Sequence, residues 1–368
     1  MTKMSVVSIK CPNCGGELVF EPSSQNYVCP YCNSSFTQAE LDRMLEQSGH
    51  GEDRKEAETQ TGPDAGGRPE TEYSDSQPGE GNLYSCPSCG AQIVTDETTA
   101  ATFCYYCHNP VVLEGRISGA YLPDRIIPFK ISREEAVSRF LSYVGKKKYV
   151  PKAFFNEQQI EKLSGVYYPY WVYDTDVEGE LTANGTRIKT WRVGDTEYTQ
   201  TSIYDVRRQG VVAVDQLTRN ALKKTAGELV ENVQPYTMTD LTKFSMGYLS
   251  GFMAEKRDIE KDALSAGLRD EAGKYAKKLL EGSASEYTTL KVKDARYMPS
   301  REQYSYVLLP VWVLTYRSLA GKFYYYAMNG QTGTVAGELP IDMRKLVIHC
   351  LILGLVIILL ALAASWYF

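Results

Sequence analysis

The pattern of hydrophobic positions predicts helices at three places in the middle of the chain. Apolar residues recur at helical spacing after Ser132, and Ser132 with Glu135 forms a capping box, so a helix should begin there. Its apolar face would carry Ala136, Phe140, Leu141 and Val144. Two further segments, 217–233 and 256–281, have the composition of helices.

Strands are predicted where β-branched and aromatic residues are dense. These places are 166–172, a strand pair over 198–214, and a run from about 287 that continues through 304–335. One proline and tryptophan pattern occurs twice, as YPYWV at 168–172 and LPVWV at 309–313. Each copy is followed by an Asn-Gly hairpin signal, at 184–185 and 329–330, so we expect an α+β body of two related halves.

The end of the chain is one apolar segment without charge, from Leu346 to Phe368. At about 1.5 Å per residue a helix here would extend about 34 Å, enough to cross a bilayer. Arg344 and Lys345 precede it, and aromatic residues at its far end suit the opposite interface. We therefore expect a single-pass tail anchor in the cell membrane, with most of the chain in the cytoplasm. The alternative, a buried core helix, would need a larger domain around it.

Cysteines occur in two sets of C-x-x-C pairs, and the second set repeats the first after a shift of 75 positions. Eight of the nine cysteines belong to these pairs: Cys11, Cys14, Cys29, Cys32, Cys86, Cys89, Cys104 and Cys107. Pairs separated by strand-like residues are typical of a four-cysteine zinc ribbon, in which each turn offers two thiolates to a tetrahedral ion. The sequence therefore predicts two small β ribbons with one zinc ion each.

The second ribbon also contains C-x-x-C-H, a pattern found where c-type haem is attached. A tight turn after each cysteine pair favours positive φ, which glycine, asparagine and histidine adopt most readily. Gly15, Asn33, Gly90 and His108 occupy those four positions. Haem and disulfides would both require export, and the first ten residues lack the apolar core of a signal peptide. Zinc is favoured, and iron bound by the same thiolates stays open as an alternative.

The segment between the ribbons, 46–83, is nearly free of large apolar residues, which predicts a disordered linker. Ten acidic and three basic residues give 46–82 a net charge of about −7, in a chain of −5. The ribbons are slightly acidic as well, and nucleic-acid binding needs several cations facing phosphates, so nucleic acid is disfavoured as a partner. The densest basic run is Lys146-Lys147-Lys148, interpreted as a helix end or loop, with membrane contact as the alternative.

Little in the chain points to catalysis. The three histidines are His50 in the linker, His108 in a ribbon turn and His349 in the apolar end. None of them is placed to assist a nucleophile in the body. Neither a glycine-rich phosphate loop nor H-E-x-x-H occurs, so we predict that the protein is not an enzyme.

The chain resembles the bacterial YdjG-type zinc-ribbon membrane proteins, which are also labelled TFIIB-type zinc ribbon or primosomal protein N′-like. The resemblance rests on the paired CPxCG-type ribbons, on YYPYWVYD, GYLSGFMAEKRD and the segment around NGQTG, and on the apolar end. It implies membrane-stress systems, with SPFH/Band 7-type and phage-shock-type proteins as partners. The transcription and primosome labels depend on the ribbons alone, which serve many functions.

Together these features predict a tail-anchored adaptor that binds protein partners through its zinc ribbons and holds them at the membrane. The alternative function is membrane-tethered binding of nucleic acid or RNA polymerase. About 37 flexible linker residues would let the first ribbon reach roughly 30–37 Å from the body. The predicted regions are the first ribbon at 1–45, the linker at 46–83, the second ribbon at 84–115, the α+β body at 116–343 and the transmembrane anchor at 344–368. The sequence leaves the partner and the oligomeric state open.

Overall fold

The computed structural model describes residues 6–7, 9–47, 82–85, 92–95, 98–104, 110–113, 117, 121–223, 230–318 and 322–367. The helices are α1 (Gln38–Gln47), α2 (Arg133–Gly145), α3 (Glu157–Ile160), α4 (Lys261–Gly282) and α5 (Met343–Tyr367). The strands are β1 (Val6–Val7), β2 (Val19–Glu21), β3 (Asn26–Val28), β4 (Ser35–Phe36), β5 (Asn82–Ser85), β6 (Gln92–Thr95), β7 (Thr99–Phe103), β8 (Pro110–Leu113), β9 (Arg125–Ile126), β10 (Ser164–Val193), β11 (Thr196–Asn220), β12 (Thr242–Lys243), β13 (Met253–Glu255), β14 (Thr289–Arg317), β15 (Phe323–Asn329) and β16 (Val335–Gly337). Of the predicted linker, 48–81 lies outside the described residues.

The body is an α+β structure centred on two long antiparallel strands, β10 and β14. Eleven of the described strands join one sheet, in which β11 pairs with β10 over most of its length. Helix α4 covers one face of this sheet, where Leu268, Ala272 and Ala276 pack against Tyr173 and Val177. Helices α1, α2 and α3 and the strands of the first ribbon cover another part of the core, which lies at the Ser164 end of β10.

Strands β10 and β11 continue beyond the body as a projecting hairpin. Pairing between β10 and β14 ends at Thr186, whereas pairing with β11 continues to Val193. At about 3.3 Å per residue, the 30 residues of β10 extend about 100 Å. Trp191 and Tyr198 stack near the tip, with ring centroids 5.7 Å apart.

Two segments of the body have the same order of elements, β9–α2–β10–β11 and β13–α4–β14–β15, except that the short helix α3 follows α2 in the first. Each short first strand pairs in parallel with the long strand of the other segment, β9 with β14 and β13 with β10. The tryptophans of the repeated motif make reciprocal contacts: the Trp171 indole N–H donates to Ile259 O, just before α4, and the Trp312 indole N–H donates to Ile131 O, just before α2. The order of elements and these exchanged hydrogen bonds agree with two related halves.

Several local predictions need correction. Helix α2 begins after Ser132, whose Oγ accepts from Glu135 N at 3.3 Å as the capping box predicts, but Leu141 of the predicted apolar face is exposed. The segment 198–214 belongs to one strand, β11, and 217–220 continues that strand instead of beginning a helix. Residues 224–229 of that predicted helix lie outside the described part of the chain. The third helix begins at Lys261, five residues later than predicted.

The first ribbon packs against the body, and this packing contradicts the expectation that it extends away on the linker. The Phe20 ring contacts those of Tyr248 and Phe252, with centroids 5.2 and 6.5 Å away. Phe20 N donates to Ser250 O at 3.1 Å, and Gln25 Nε2 donates to Phe129 O at 2.7 Å. Strand β1 also pairs with β8, which lies within the predicted second ribbon. Apolar burial and backbone hydrogen bonds therefore hold the ribbon in place.

We expect the first ribbon to stay on the body after the linker is cut. A tobacco etch virus protease site inserted between Gly66 and Gly67 would allow cleavage of the purified full-length protein in mild detergent. The fragment that contains residues 1–66 should then elute with the remainder in size-exclusion chromatography, because the contacts of Phe20 and Gln25 do not depend on the linker. The same cleavage in a Phe20→Ala variant should release part of the fragment. If the fragment that carries the native Phe20 elutes separately from the remainder, the observed docking would be contradicted.

Helix α5 is long and apolar enough to cross a membrane. None of the residues in the apolar window of its segment Met343–Leu362 is buried in the described structure. An apolar face of this size is unfavourable in water. The exposure favours the predicted membrane helix over the alternative of a buried core helix.

Candidate metal centre

The first ribbon brings four cysteine thiols together at one point. The sulfur atoms of Cys11, Cys14, Cys29 and Cys32 all lie within 4.8 Å of one another. Cys11 and Cys14 lie in a loop that begins beside the Lys10–Glu17 bridge, and Cys29 and Cys32 lie in the loop that joins β3 to β4. Two short loops on neighbouring strands therefore supply two ligands each.

Backbone hydrogen bonds fix the shape of both loops. Gly15 N donates to Cys11 O at 2.8 Å, and Asn33 N donates to Cys29 O at 2.9 Å. Gly15 has φ +73° and Asn33 has φ +57°, so both adopt the left-handed conformation that the sequence predicts for them. The equivalent positions Gly90 and His108 lie outside the described residues.

The spacing of the thiols fits a tetrahedral metal ion. Zinc–sulfur bonds of about 2.3 Å in a tetrahedron place neighbouring sulfur atoms about 3.8 Å apart. The Cys11–Cys32 and Cys14–Cys29 sulfur pairs are 3.7 and 3.4 Å apart. Four thiolates favour zinc among common divalent ions, and iron uses the same ligand set. The cluster can therefore hold a single metal ion of this kind.

Electrostatics also make this cluster suitable for a cation. Hydrogen bonds from the side chain and backbone of Ser34 lower the pKa of Cys32 to about 6, so this thiol is ionised at neutral pH. At Cys14 a hydrogen bond from Gly16 N lowers the pKa, but the thiols of Cys29 and Cys32 outweigh it and raise the pKa to about 12. The shifts at Cys14 and Cys32 thus oppose each other, as expected for two thiols that share one negative charge. A bound divalent ion would stabilise all four as thiolates.

The strands of the predicted second ribbon repeat the pairing found in the first. In the first ribbon the paired residues Lys10 with Glu17 and Val28 with Ser35 enclose the two cysteine loops. In the second, Ser85 pairs with Gln92 and Phe103 with Pro110, each 75 positions later. Cys104 is buried at the end of β7, whereas Cys86, Cys89 and Cys107 lie outside the described residues. The repeat therefore extends to strand register, and the second metal site remains a prediction.

Two polar residues connect the cysteine loops and were missed in the sequence. Asn13 Nδ2 donates to Ser34 Oγ at 2.8 Å, and Ser34 Oγ lies 3.2 Å from Cys32 Sγ. The internal repeat carries a signal for this pair, because the positions equivalent to Asn13 and Ser34 hold Ser88 and Asn109. The same two residue types are exchanged, as expected for side chains that contact each other.

Comparisons with known proteins give one full-length match. The chain is 29% identical over 340 residues to the "Uncharacterized protein YdjG" of Bacillus subtilis (strain 168), covering 92% of each chain. No family model matches the chain, and no solved structure matches it. The full-length match supports a YdjG-like family for this chain, and the relative's name states no function.

Proposed function

We propose that this protein is a membrane-anchored adaptor that faces the cytoplasm. Each of its two ribbons binds one zinc ion, the second through Cys86, Cys89, Cys104 and Cys107. Helix α5 crosses the cell membrane, and the ribbons dock protein partners beside it. The resemblance to YdjG-type proteins favours partners of the SPFH/Band 7 or phage-shock type. In this proposal the protein holds partners in place and catalyses no reaction.

The exposed side of the first ribbon carries the proposal. One side of this ribbon is buried on the body through Phe20 and Tyr27, whereas Cys14 and Cys32 are exposed on the other. Tyr31, between the cysteines of the second loop, has 67% of its surface exposed. Tyrosine is enriched at the energetically important centres of protein interfaces. A fixed ribbon with an exposed aromatic residue next to the metal is suited to docking, because little conformational entropy is lost when a partner binds.

The partner-binding role can be tested with Tyr31→Ala in the full-length protein. Crosslinking in intact cells, followed by purification from membranes and mass spectrometry, would identify the captured proteins. Loss of a central interface tyrosine should reduce capture of the main partner about tenfold or more. Metal content should stay unchanged, because Tyr31 is not a ligand. Tyr275→Ala provides a matched control, since Tyr275 is an exposed tyrosine on α4 that lies away from the ribbon.

Two results would count against the adaptor. Equal capture by Tyr31→Ala and wild type would exclude this face of the ribbon as the docking site. Capture of RNA polymerase or replication proteins in place of membrane-associated proteins would favour the alternative function in transcription or replication.

A further inference from the structure

The loop after α2 lies directly beside the first turns of α5. Asp342 N donates to Tyr149 O at 2.7 Å, and Lys345 Nζ donates to Val150 O at 3.2 Å. Further along the helix, the His349 ring meets the Tyr149 ring nearly edge-on, with centroids 5.9 Å apart. His349 is six residues after Met343, a rise of about 9 Å along the helix axis. The body is therefore in contact with α5 over about its first two turns.

This junction concentrates positive charge. We call the following six residues the basic collar: Lys146, Lys147, Lys148, Lys152, Arg344 and Lys345. All six are exposed. The one carboxylate in the segments 146–152 and 342–345 is that of Asp342, which lies 3.6 Å from Lys345 Nζ. The collar therefore has a clear excess of positive charge on two separate parts of the chain.

The length of α5 places the collar at the surface of the bilayer. From Cys350 to Tyr367 the helix has 18 residues, which extend about 27 Å. The hydrocarbon core of a bilayer is about 30 Å thick, so this part of α5 nearly fills it. His349 and Tyr149 then lie at the headgroup level, where amphipathic rings are favoured. Exposed apolar residues beside the collar, Ile341 and Met343, suit the same level.

We propose that the basic collar binds the headgroups of anionic phospholipids and so fixes the orientation of the body on the membrane. This inference rests on the proposed function, since it requires α5 to cross the bilayer. The cations are contiguous with the membrane helix, and the cytoplasmic leaflet carries negative charge, so the two surfaces are complementary. Because Lys146, Lys147 and Lys148 come from the α2 loop, the lipid contact also connects the body to the membrane away from the helix itself.

The test uses the full-length protein reconstituted into nanodiscs of phosphatidylcholine alone or with 30% phosphatidylglycerol. Hydrogen–deuterium exchange of the peptide covering 145–150 should be several-fold slower in the anionic discs, because bound headgroups restrict opening of this loop. High salt should remove the protection, since it screens exposed charges. Inorganic phosphate added to neutral discs should have little effect. Equal protection by phosphate would overturn the assignment to lipid.

Two triple variants distinguish an effect of the collar on exchange from a general effect of surface charge. Lys146→Gln/Lys147→Gln/Lys148→Gln should exchange at the same rate in both kinds of disc. Lys274→Gln/Lys277→Gln/Lys278→Gln removes the same charge from α4 and should keep the wild-type dependence on anionic lipid. In one outcome, the wild-type protein resists carbonate extraction from vesicles and still exchanges at the same rate in both kinds of disc. That result would overturn the proposed lipid binding by the collar and leave the membrane anchor intact. Complete extraction of the protein by carbonate would overturn the membrane anchor and the collar together.

Discussion

Cys29→Ser should remove the metal from the first ribbon and unfold that ribbon. Cys29 is fully buried, and its sulfur lies 3.4 Å from that of Cys14. A serine hydroxyl does not ionise near neutral pH and is a poor ligand for zinc. The described ribbon, 9–47, is too short to fold stably on its small apolar core, and units of about 40 residues usually need a metal or disulfide. Structural zinc contributes about 10–16 kcal/mol in comparable small domains.

Metal analysis and limited proteolysis would check this expectation. The Cys29→Ser protein should contain one metal equivalent less per chain than the wild type, and trypsin should cut at Lys10 and Arg43 much faster. Unfolding of the ribbon would also expose Tyr248 and Phe252 on the body, so the body should melt at a lower temperature. Wild-type metal content together with wild-type proteolysis would refute the proposed role of Cys29.

Cys350→Ser is the matched control for the metal experiment. Cys350 lies on α5, away from the cluster, and it is exposed. Its replacement should change neither the metal content nor the resistance to trypsin. A loss of metal in this variant would show that the assay reports general instability instead of ligand removal.

Phe129→Ala should cause a large loss of stability in the body. Phe129 is fully buried, and its ring stacks on that of Phe252 with centroids 4.2 Å apart. It also meets the rings of Tyr167 and Trp312, at 5.0 and 5.1 Å. Truncation of a buried phenylalanine leaves a cavity and costs about 3–5 kcal/mol. For a body of this size the midpoint of thermal unfolding should fall by about 10 °C.

Calorimetry of the purified protein in detergent would measure this shift, with Tyr198→Ala as the control. Tyr198 is 46% exposed on the projecting hairpin, so its loss should cost about 1 kcal/mol or less. A second test uses Gly330, where an added Cβ would lie 2.5 Å from the Phe129 ring. Gly330→Ala should destabilise the wild type more than it destabilises Phe129→Ala, because the smaller side chain removes most of the clash. Additive effects of the two changes would contradict the close packing.

Some features could be predicted because local chemistry determines them. The cysteine spacing specifies a tetrahedral site, Gly15 and Asn33 supply the left-handed turns, and Ser132 caps α2 through its own side chain. Each depends on residues close together in the sequence. The continuous apolar pattern of α5 is equally local, and it specifies a helix long enough for a bilayer.

Other features depend on contacts between distant residues. Asn184–Gly185 has the sequence of a hairpin turn, yet it lies within β10. The glycine is needed there for close packing, because an added Cβ would lie 2.6 Å from the Tyr287 ring. Docking of the first ribbon depends on Tyr248 and Phe252, which are remote from it in sequence, and nothing in their local pattern indicates that a ribbon packs there. Tertiary packing therefore overrides the local turn preference at Asn184–Gly185, and it alone determines where the ribbon docks.

Docking of the first ribbon also has a consequence for protein synthesis. About 200 residues separate α1 from Phe244, where the aromatic part of the docking surface begins. At about 5–20 residues per second, this part is synthesised roughly 10–40 s after the ribbon. Metal binding can fold the ribbon during this interval, but Phe20 and its neighbours stay uncovered. A nascent chain with an exposed aromatic surface is prone to aggregation. Chaperones should therefore engage the ribbon on the ribosome until the segment from Phe244 to Phe252 has emerged.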